Sequence, residues 1–204
     1  HHPAAFYVGL LNSQPMGFYS PSQLIQDARR HHIMVLPVDV NHSSWDHQIL
    51  SSAGQQQPPI RLGLRLIKGL NKAAGQRIHA AQRRRAFANV ADLRQRACLD
   101  RGDMEALAAA DALSGISGNR YQSHWQTMAL EDHRPLLPNE GAVQRSQDDA
   151  AITATPTLPE DVIADYQSTG LTLRSHPLSL LRHQSPFDRC RRQTELETLG
   201  NHRF

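Results

Sequence analysis

Aromatic side chains make up only 5% of this 204-residue chain, and cysteine occurs twice, at Cys98 and Cys190. With no Cys-x-x-Cys pair, a disulfide scaffold and a zinc ribbon are both excluded, and the usage fits a reducing compartment, so the expected location is the cytoplasm. No apolar run approaches the roughly 20 residues that span a bilayer, so no transmembrane segment is expected. Asn41-His42-Ser43 matches a glycosylation sequon, but without a secretory signal it is a chance match. Metal ligands at usable spacing are also missing. His31 and His32 are adjacent at a helix end and cannot face one another, and no Cys or carboxylate cluster accompanies them. Asp148-Asp149 lies in a polar stretch and reads as a solvated charge pair rather than a metal site.

Positive charge is abundant but concentrated in one place. The formal net charge is only +3. Residues 61–101 nevertheless hold eleven Lys or Arg against Asp92 and Asp100, while the remainder holds eleven against seventeen acids. A basic block on one folded element of an otherwise acidic chain points to a polyanionic partner, with nucleic acid leading. Mean hydropathy is −0.52, yet Leu, Ile, Val and Ala are plentiful, so the centre of the chain is expected to bury a core.

The organising stretch is Ile60 to Arg85, IRLGLRLIKGLNKAAGQRIHAAQRRR. Leu62, Leu64, Leu66 and Ile67 read as a buried strand end running into a short helix. Ala73, Ala74, Ile78 and Ala81 then recur at helical spacing, beside polar Lys72, Gln76, Arg77, Arg83, Arg84 and Arg85. Between the two, Lys68-Gly69-Leu70-Asn71 forms a tight turn, in which Gly69 permits a positive φ and Asn71 tolerates a left-handed conformation. A helix, a hairpin and a second helix can aim backbone N–H groups and a helix N-terminus at an anion such as phosphate. The expected DNA-binding residues are therefore Lys68, Gly69, Leu70, Asn71, Lys72, Arg77, Arg83, Arg84 and Arg85. The same pattern also fits a helical hairpin with a solvated basic face, and spacing alone does not separate the two.

Along the chain, residues 1–50 begin inside an apolar-periodic helix (Phe6, Leu10, Leu11), with Pro3 in its first turn, and look like a piece of something longer. Ser20 and Gln23 form a capping box that predicts a helix from Pro21 to about His31, and IMVLPVDVN reads as a strand with Pro37 at an edge. Residues 51–59 are a polar linker. A second helical pair runs from Val90 to about Ala97, capped by Asn89, and from Arg101 to Ala110, with Met104 and Leu107 inward. Two such pairs over residues 60–132 must share a core, since neither could bury its apolar faces alone. Gly115, Gly118 and Asn119 form a turn before a short helix in which Trp125 is expected to pack. Residues 133–158 read as a flexible linker, and a helix using Val162, Ile163 and Tyr166 follows, ending at Gly170. The predicted fold is mainly α with a few short strands: a tandem helix-hairpin-helix domain flanked by a small α/β piece.

HPAAFYVGLLNSQPMGFYSPSQLIQDARRH, VLPVDVN, IRLGLRLIKGLNKAAGQRI, DMEALAAADALSG and DYQSTGLTLRSHPLSLLR resemble, in order, the alpha chain of bacterial C-family DNA polymerases of the error-prone type. The resemblance implies the end of a fingers domain at 1–50, the tandem helix-hairpin-helix domain at 60–132, and the approach to an OB fold at 159–204. It departs from the family at His32 and Asp111, where glycine is usual, and at Asn71, where glycine is common. For the parent chain it implies a DNA-directed DNA polymerase, a nucleotidyltransferase using Mg2+ in damage-induced mutagenesis and translesion synthesis. The palm aspartates for two-metal chemistry would lie before His1, so this segment is expected to bind no cofactor and to hold duplex DNA independently of sequence. The competing reading is a protein-interaction module whose basic helix docks an acidic partner. Gln193 to Leu199 loosely resembles a sliding-clamp peptide, which makes a clamp or accessory mutagenesis proteins further expected partners.

Overall fold

Helix starts with strong caps recur throughout the chain and cut it into short elements. In the computed structural model, which describes residues 2–50, 57–130 and 154–191, residues 1–173 and 174–204 form separate compact units. The larger unit opens with α1 (Pro3–Asn12) and α2 (Pro21–Arg30). The predicted box starts α2: the Ser20 side chain accepts from the Gln23 N–H while Gln23 reaches back to the Ser20 N–H. Three two-residue strands follow, β1 (Val35–Leu36), β2 (Gln48–Ile49) and β3 (Ile60–Arg61). The extended IMVLPVDVN stretch contributes only Val35–Leu36 to the sheet, because Pro37 has no N–H to continue the ladder. β3 is central, parallel to β1 and antiparallel to β2. The sheet thus joins residues on either side of 51–59, whose first six members lie outside the described residues, as do 131–153.

A single 3-10 turn (Leu64–Leu66) leads to α3 (Lys72–Gln82), α4 (Val90–Ala97), α5 (Arg101–Ala109), the one-turn α6 (Ser114–Ser117), α7 (Arg120–Ala129) and α8 (Leu158–Ser168). One core cluster runs from Leu11 through Leu62, Ile78, Leu93 and Leu107 to Leu171, and a second joins Ile60 of β3 to Ala4 and Tyr7 of α1, Ala28 of α2 and Ile33, with Val35 of β1 packed against both. Trp45 ties the sheet region to the helices, its ring lying so close to Gly75 of α3 that a Cβ there would clash with it. In α1 the inward stripe is Ala4, Tyr7 and Leu11, and Phe6 is solvent-facing. Ile163 is likewise exposed on α8, which buries Val162 instead. In the smaller unit the described elements are α9 (Pro177–Leu181), whose first turn is capped by the His176 ring, and a 3-10 turn (Phe187–Arg189).

Two of the three positions at which the resemblance implies glycine have a backbone meaning. His32 (φ 59°) and Asp111 (φ 57°) are left-handed. Each ends a helix in a Schellman motif: Ile33 N–H donates to Ala28 O and His32 N–H to Arg29 O, while Ala112 N–H donates to Leu107 O and Asp111 N–H to Ala108 O. An L-residue in that conformation carries a steric cost of about 1–2 kcal/mol that glycine avoids. His32 is exposed, so His32→Gly should stabilise the chain by about 1 kcal/mol, read as an increase in the urea midpoint at unchanged slope.

His47 gives a second, pH-linked measure of the fold. Its ring is 4% exposed and its Nδ1 accepts from the Gly63 N–H at 3.1 Å. Burial first, then nearby Arg65, pushes its pKa down to about 4, against a smaller upward pull from Asp46. The fold therefore holds the ring neutral, while an unfolded chain protonates it near the ordinary value of about 6.5. The associated stability is complete above that value and is lost as pH falls toward 4, by up to about 3 kcal/mol. Urea midpoints should fall between pH 7 and 5, and His47→Gln should remove most of that fall.

Candidate nucleic-acid interface

At the hairpin the chain turns from the 3-10 segment into α3 within five residues, 67–71. Gly69 takes φ +88°. Leu70 is buried and fixes the turn to the core, so it acts from beneath the surface. Asn71, though tolerant of a left-handed conformation, does not take it. Its φ and ψ are −87° and 159°, and its side chain accepts from the Ala74 N–H at 2.8 Å, making it the N-cap of α3. An Asx side chain can satisfy an orphan amide at a helix start, and that preference outweighs its tolerance of positive φ here. Among the described residues, the N–H groups of Gly69, Asn71, Lys72 and Ala73 meet no acceptor. Four unpaired amides around one exposed turn, at the positive end of an 11-residue helix, make an anion-accepting rim.

α3 extends that rim. Lys72, Ala73, Gln76, Ala80, Arg83 and Arg84 are all exposed. At 100° per residue they fall within an arc of about 120°, with Lys72 and Arg83 nearly in line. The rise of about 1.5 Å per residue separates them by about 16 Å. The cations therefore lie at the two ends of the helix, with small side chains between them.

The other nominated cations are engaged. Lys68 Nζ donates to the carbonyls of Tyr166 and Gln167, both at 3.0 Å. Arg77 donates through Nε to Ala97 O at 2.9 Å and meets buried Asp103 at 3.3 Å. Burial raises the Asp103 pKa, and Asp100 raises it further, against lowering by a backbone hydrogen bond and by Arg77. Arg85 remains largely exposed but pairs with Asp92 at 3.2 Å. Asp92 is held below the usual carboxylate range first by the Ala88 N–H and then by Arg96 and Arg85. Arg96, which spacing did not single out, donates to the carbonyls of Ala81, Arg85 and Ala86 and lies over the Phe87 ring at 4.8 Å. It closes the C-terminal end of α3. Trp125, expected to pack, is 60% exposed on α7, because that helix buries Arg120, Ser123 and Thr127 instead.

The second hairpin differs electrostatically from the first. The start of α5 carries Asp100 as N-cap and Asp103 in its first turn, so carboxylates already occupy its positive end. Among the described residues no three His, Cys, Asp or Glu side chains are grouped to share a metal ion, and no helix is long and apolar enough to cross a membrane. Gln193 to Leu199 lies outside the described residues. The cap role of Asn71 gives a direct test: Asn71→Ala should lower stability by about 1 kcal/mol in urea denaturation, while Asn71→Asp, which keeps the acceptor, should leave it nearly unchanged.

A family model described as a helix-hairpin-helix motif matches residues 32–123. An error-prone DNA polymerase of Saccharophagus degradans is 49% identical over 207 residues, covering 100% of this chain and 20% of that protein. Another, from Teredinibacter turnerae, is 49% identical over 205 residues with the same coverage. A third, from Ralstonia nicotianae, is 51% identical over 189 residues, covering 89% of this chain and 17% of the relative. The chain thus spans about one fifth of the length of these relatives. Over its length the chain is thus similar to a segment of about one fifth of these error-prone DNA polymerases, and residues 32–123 within it match the helix-hairpin-helix motif.

Proposed function

We propose that this segment holds duplex DNA for an error-prone DNA polymerase, through phosphate contacts that ignore sequence. The observation that carries the proposal is the rim of four unpaired amides, Gly69, Asn71, Lys72 and Ala73, at the N-terminus of α3 beside Lys72. Amides and a helix N-terminus favour an oxyanion regardless of the base attached to it. Gly69 lets the backbone approach closely, and the exposed arc from Lys72 to Arg83 and Arg84 continues the track for about 16 Å, roughly five steps of one DNA strand at about 3.4 Å each. Arg85 adds charge next to it, while Leu70 and Asn71 shape the turn, and Lys68 and Arg77 enter the field at longer range.

The nucleotidyl-transfer activity, Mg2+ and the role in mutagenic synthesis belong, in this reading, to the parent polypeptide. Its relatives are polymerases about five times as long as the matched segment. The segment supplies grip, and the chemistry is carried out elsewhere in the chain.

The test is a salt titration with random-sequence duplexes. Each phosphate neutralised by Lys or Arg contributes about −0.9 to the slope of log affinity against log salt. Arg83→Ala with Arg84→Ala should flatten the slope by up to about 1.8 units, and equally for unrelated sequences. Gly69→Val should weaken binding at nearly unchanged slope, provided circular dichroism reports intact helices. Parent-like binding and slope in both variants would leave the hairpin a structural turn with a solvated basic face.

A further inference from the structure

We propose that α8 is the support of the hairpin, and that Lys68 acts as a strut onto it and not as a phosphate ligand. This rests on the reading of the hairpin as a phosphate site and extends it to a helix about 90 residues further along the chain.

The contact is built from both backbone and side chain. The Lys68 N–H donates to Ser168 O at 2.9 Å, and Lys68 Nζ donates to Tyr166 O and Gln167 O at 3.0 Å each. These are three of the last four carbonyls of α8. A helix leaves its last four carbonyls without intrahelical partners. The fourth, Asp165 O, accepts from the Thr169 N–H, and Tyr166 O also accepts from the Gly170 N–H. Among the described residues, the carbonyls of Gln167 and Ser168 have only the hairpin as partner. A cation at that end also meets the negative pole of the helix. The Lys68 backbone bond cannot shift to a phosphate without moving the whole turn.

α8 is also fastened by charge, at Asp161 and Asp165. Arg120 of α7, itself buried, donates to Asp161 Oδ1 at 2.7 Å and to Asp161 O at 3.0 Å, and pairs with Asp165. Asp165 Oδ2 also accepts from Thr172 at 2.7 Å. Between these two fastenings the interface is not filled: a cavity of about 420 Å³ is lined by Lys68, Ala108, Ala109, Arg120, Ala164 and Ser168, among others. α8 is therefore held by these polar links together with its one buried apolar side chain, Val162. The amides of Gly69, Asn71, Lys72 and Ala73 take no part in that contact and meet no acceptor among the described residues. The hairpin has one set of groups for its support and another for its ligand, and Lys68 belongs to the first.

The experiment compares the parent chain with Lys68→Met, Lys72→Met and Asp165→Asn by hydrogen exchange and by duplex binding. Lys68→Met and Asp165→Asn should each speed exchange of the α8 amides and of the residue-68 amide by about tenfold or more, and Lys72→Met should not. Lys68→Met should then weaken duplex binding several-fold at unchanged salt slope, whereas Lys72→Met should flatten the slope by about 0.9. Unchanged α8 protection in Lys68→Met overturns the support, and a slope flattened as much by Lys68→Met as by Lys72→Met overturns the strut in favour of a phosphate contact. A parent chain that shows no salt-dependent duplex binding overturns the phosphate reading and the positioning role with it, while exchange still decides whether α8 holds the hairpin.

Discussion

Satisfying the ends of short helices is the constraint on which this structure depends. α1–α5, α7 and α8 are eight to eleven residues long, so unpaired N–H and C=O groups are a large fraction of their backbone. Side-chain oxygens answer the N-termini: Ser20, Asn71, Asn89, Asp100 and Asn119 each accept from the amide three residues on. Cations answer several C-termini. Arg96 closes α3, Arg77 reaches the last carbonyl of α4, and Lys68 closes α8. Left-handed residues complete α2, α4 and α5.

This division of labour changes the meaning of the basic block. A surplus of positive charge over residues 61–101 suggests a polyanion, yet much of it is built into the molecule. Arg61 reaches Pro37 O, Arg65 reaches Asn12 O and Gln14 O, and Arg94 reaches Leu130 O. Such cations keep their charge and still contribute to the field around the protein, but their geometry is committed. Lys72, Arg83 and Arg84 differ in being exposed at the two ends of α3, Lys72 next to a hairpin whose amides meet no acceptor among the described residues.

The two halves of the helical region are correspondingly unequal. The first hairpin presents open amides and an uncharged cap, Asn71, whereas the second presents Asp100 and Asp103 at the same place in its helix. A carboxylate at a helix N-terminus uses the same partial charge that an incoming phosphate would use. The second pair is thus the structural partner of the first: through Asp103 it holds Arg77, and through Leu93, Met104 and Leu107 it completes the shared core.

Much of this was legible in the sequence. Ser20-Pro21 with Gln23, Asn89 before a periodic run, and Gly170 after one fixed three helix boundaries closely, because caps and breakers act through bonds only a few residues apart. Apolar spacing also located Ile78, Met104, Leu107 and Val162 in the core, since helical periodicity is a local property. The opposite assignments of Asn71 and His32 were not legible: one side chain caps a helix and the other takes the left-handed turn, and both types are tolerated in either setting. The exposure of Trp125 and the engagement of Lys68, Arg77 and Arg96 were decided only in three dimensions. A side chain that reaches a carbonyl 98 residues away leaves no periodic trace, and whether a lysine faces phosphate or a helix end depends on which element tertiary packing sets beside it.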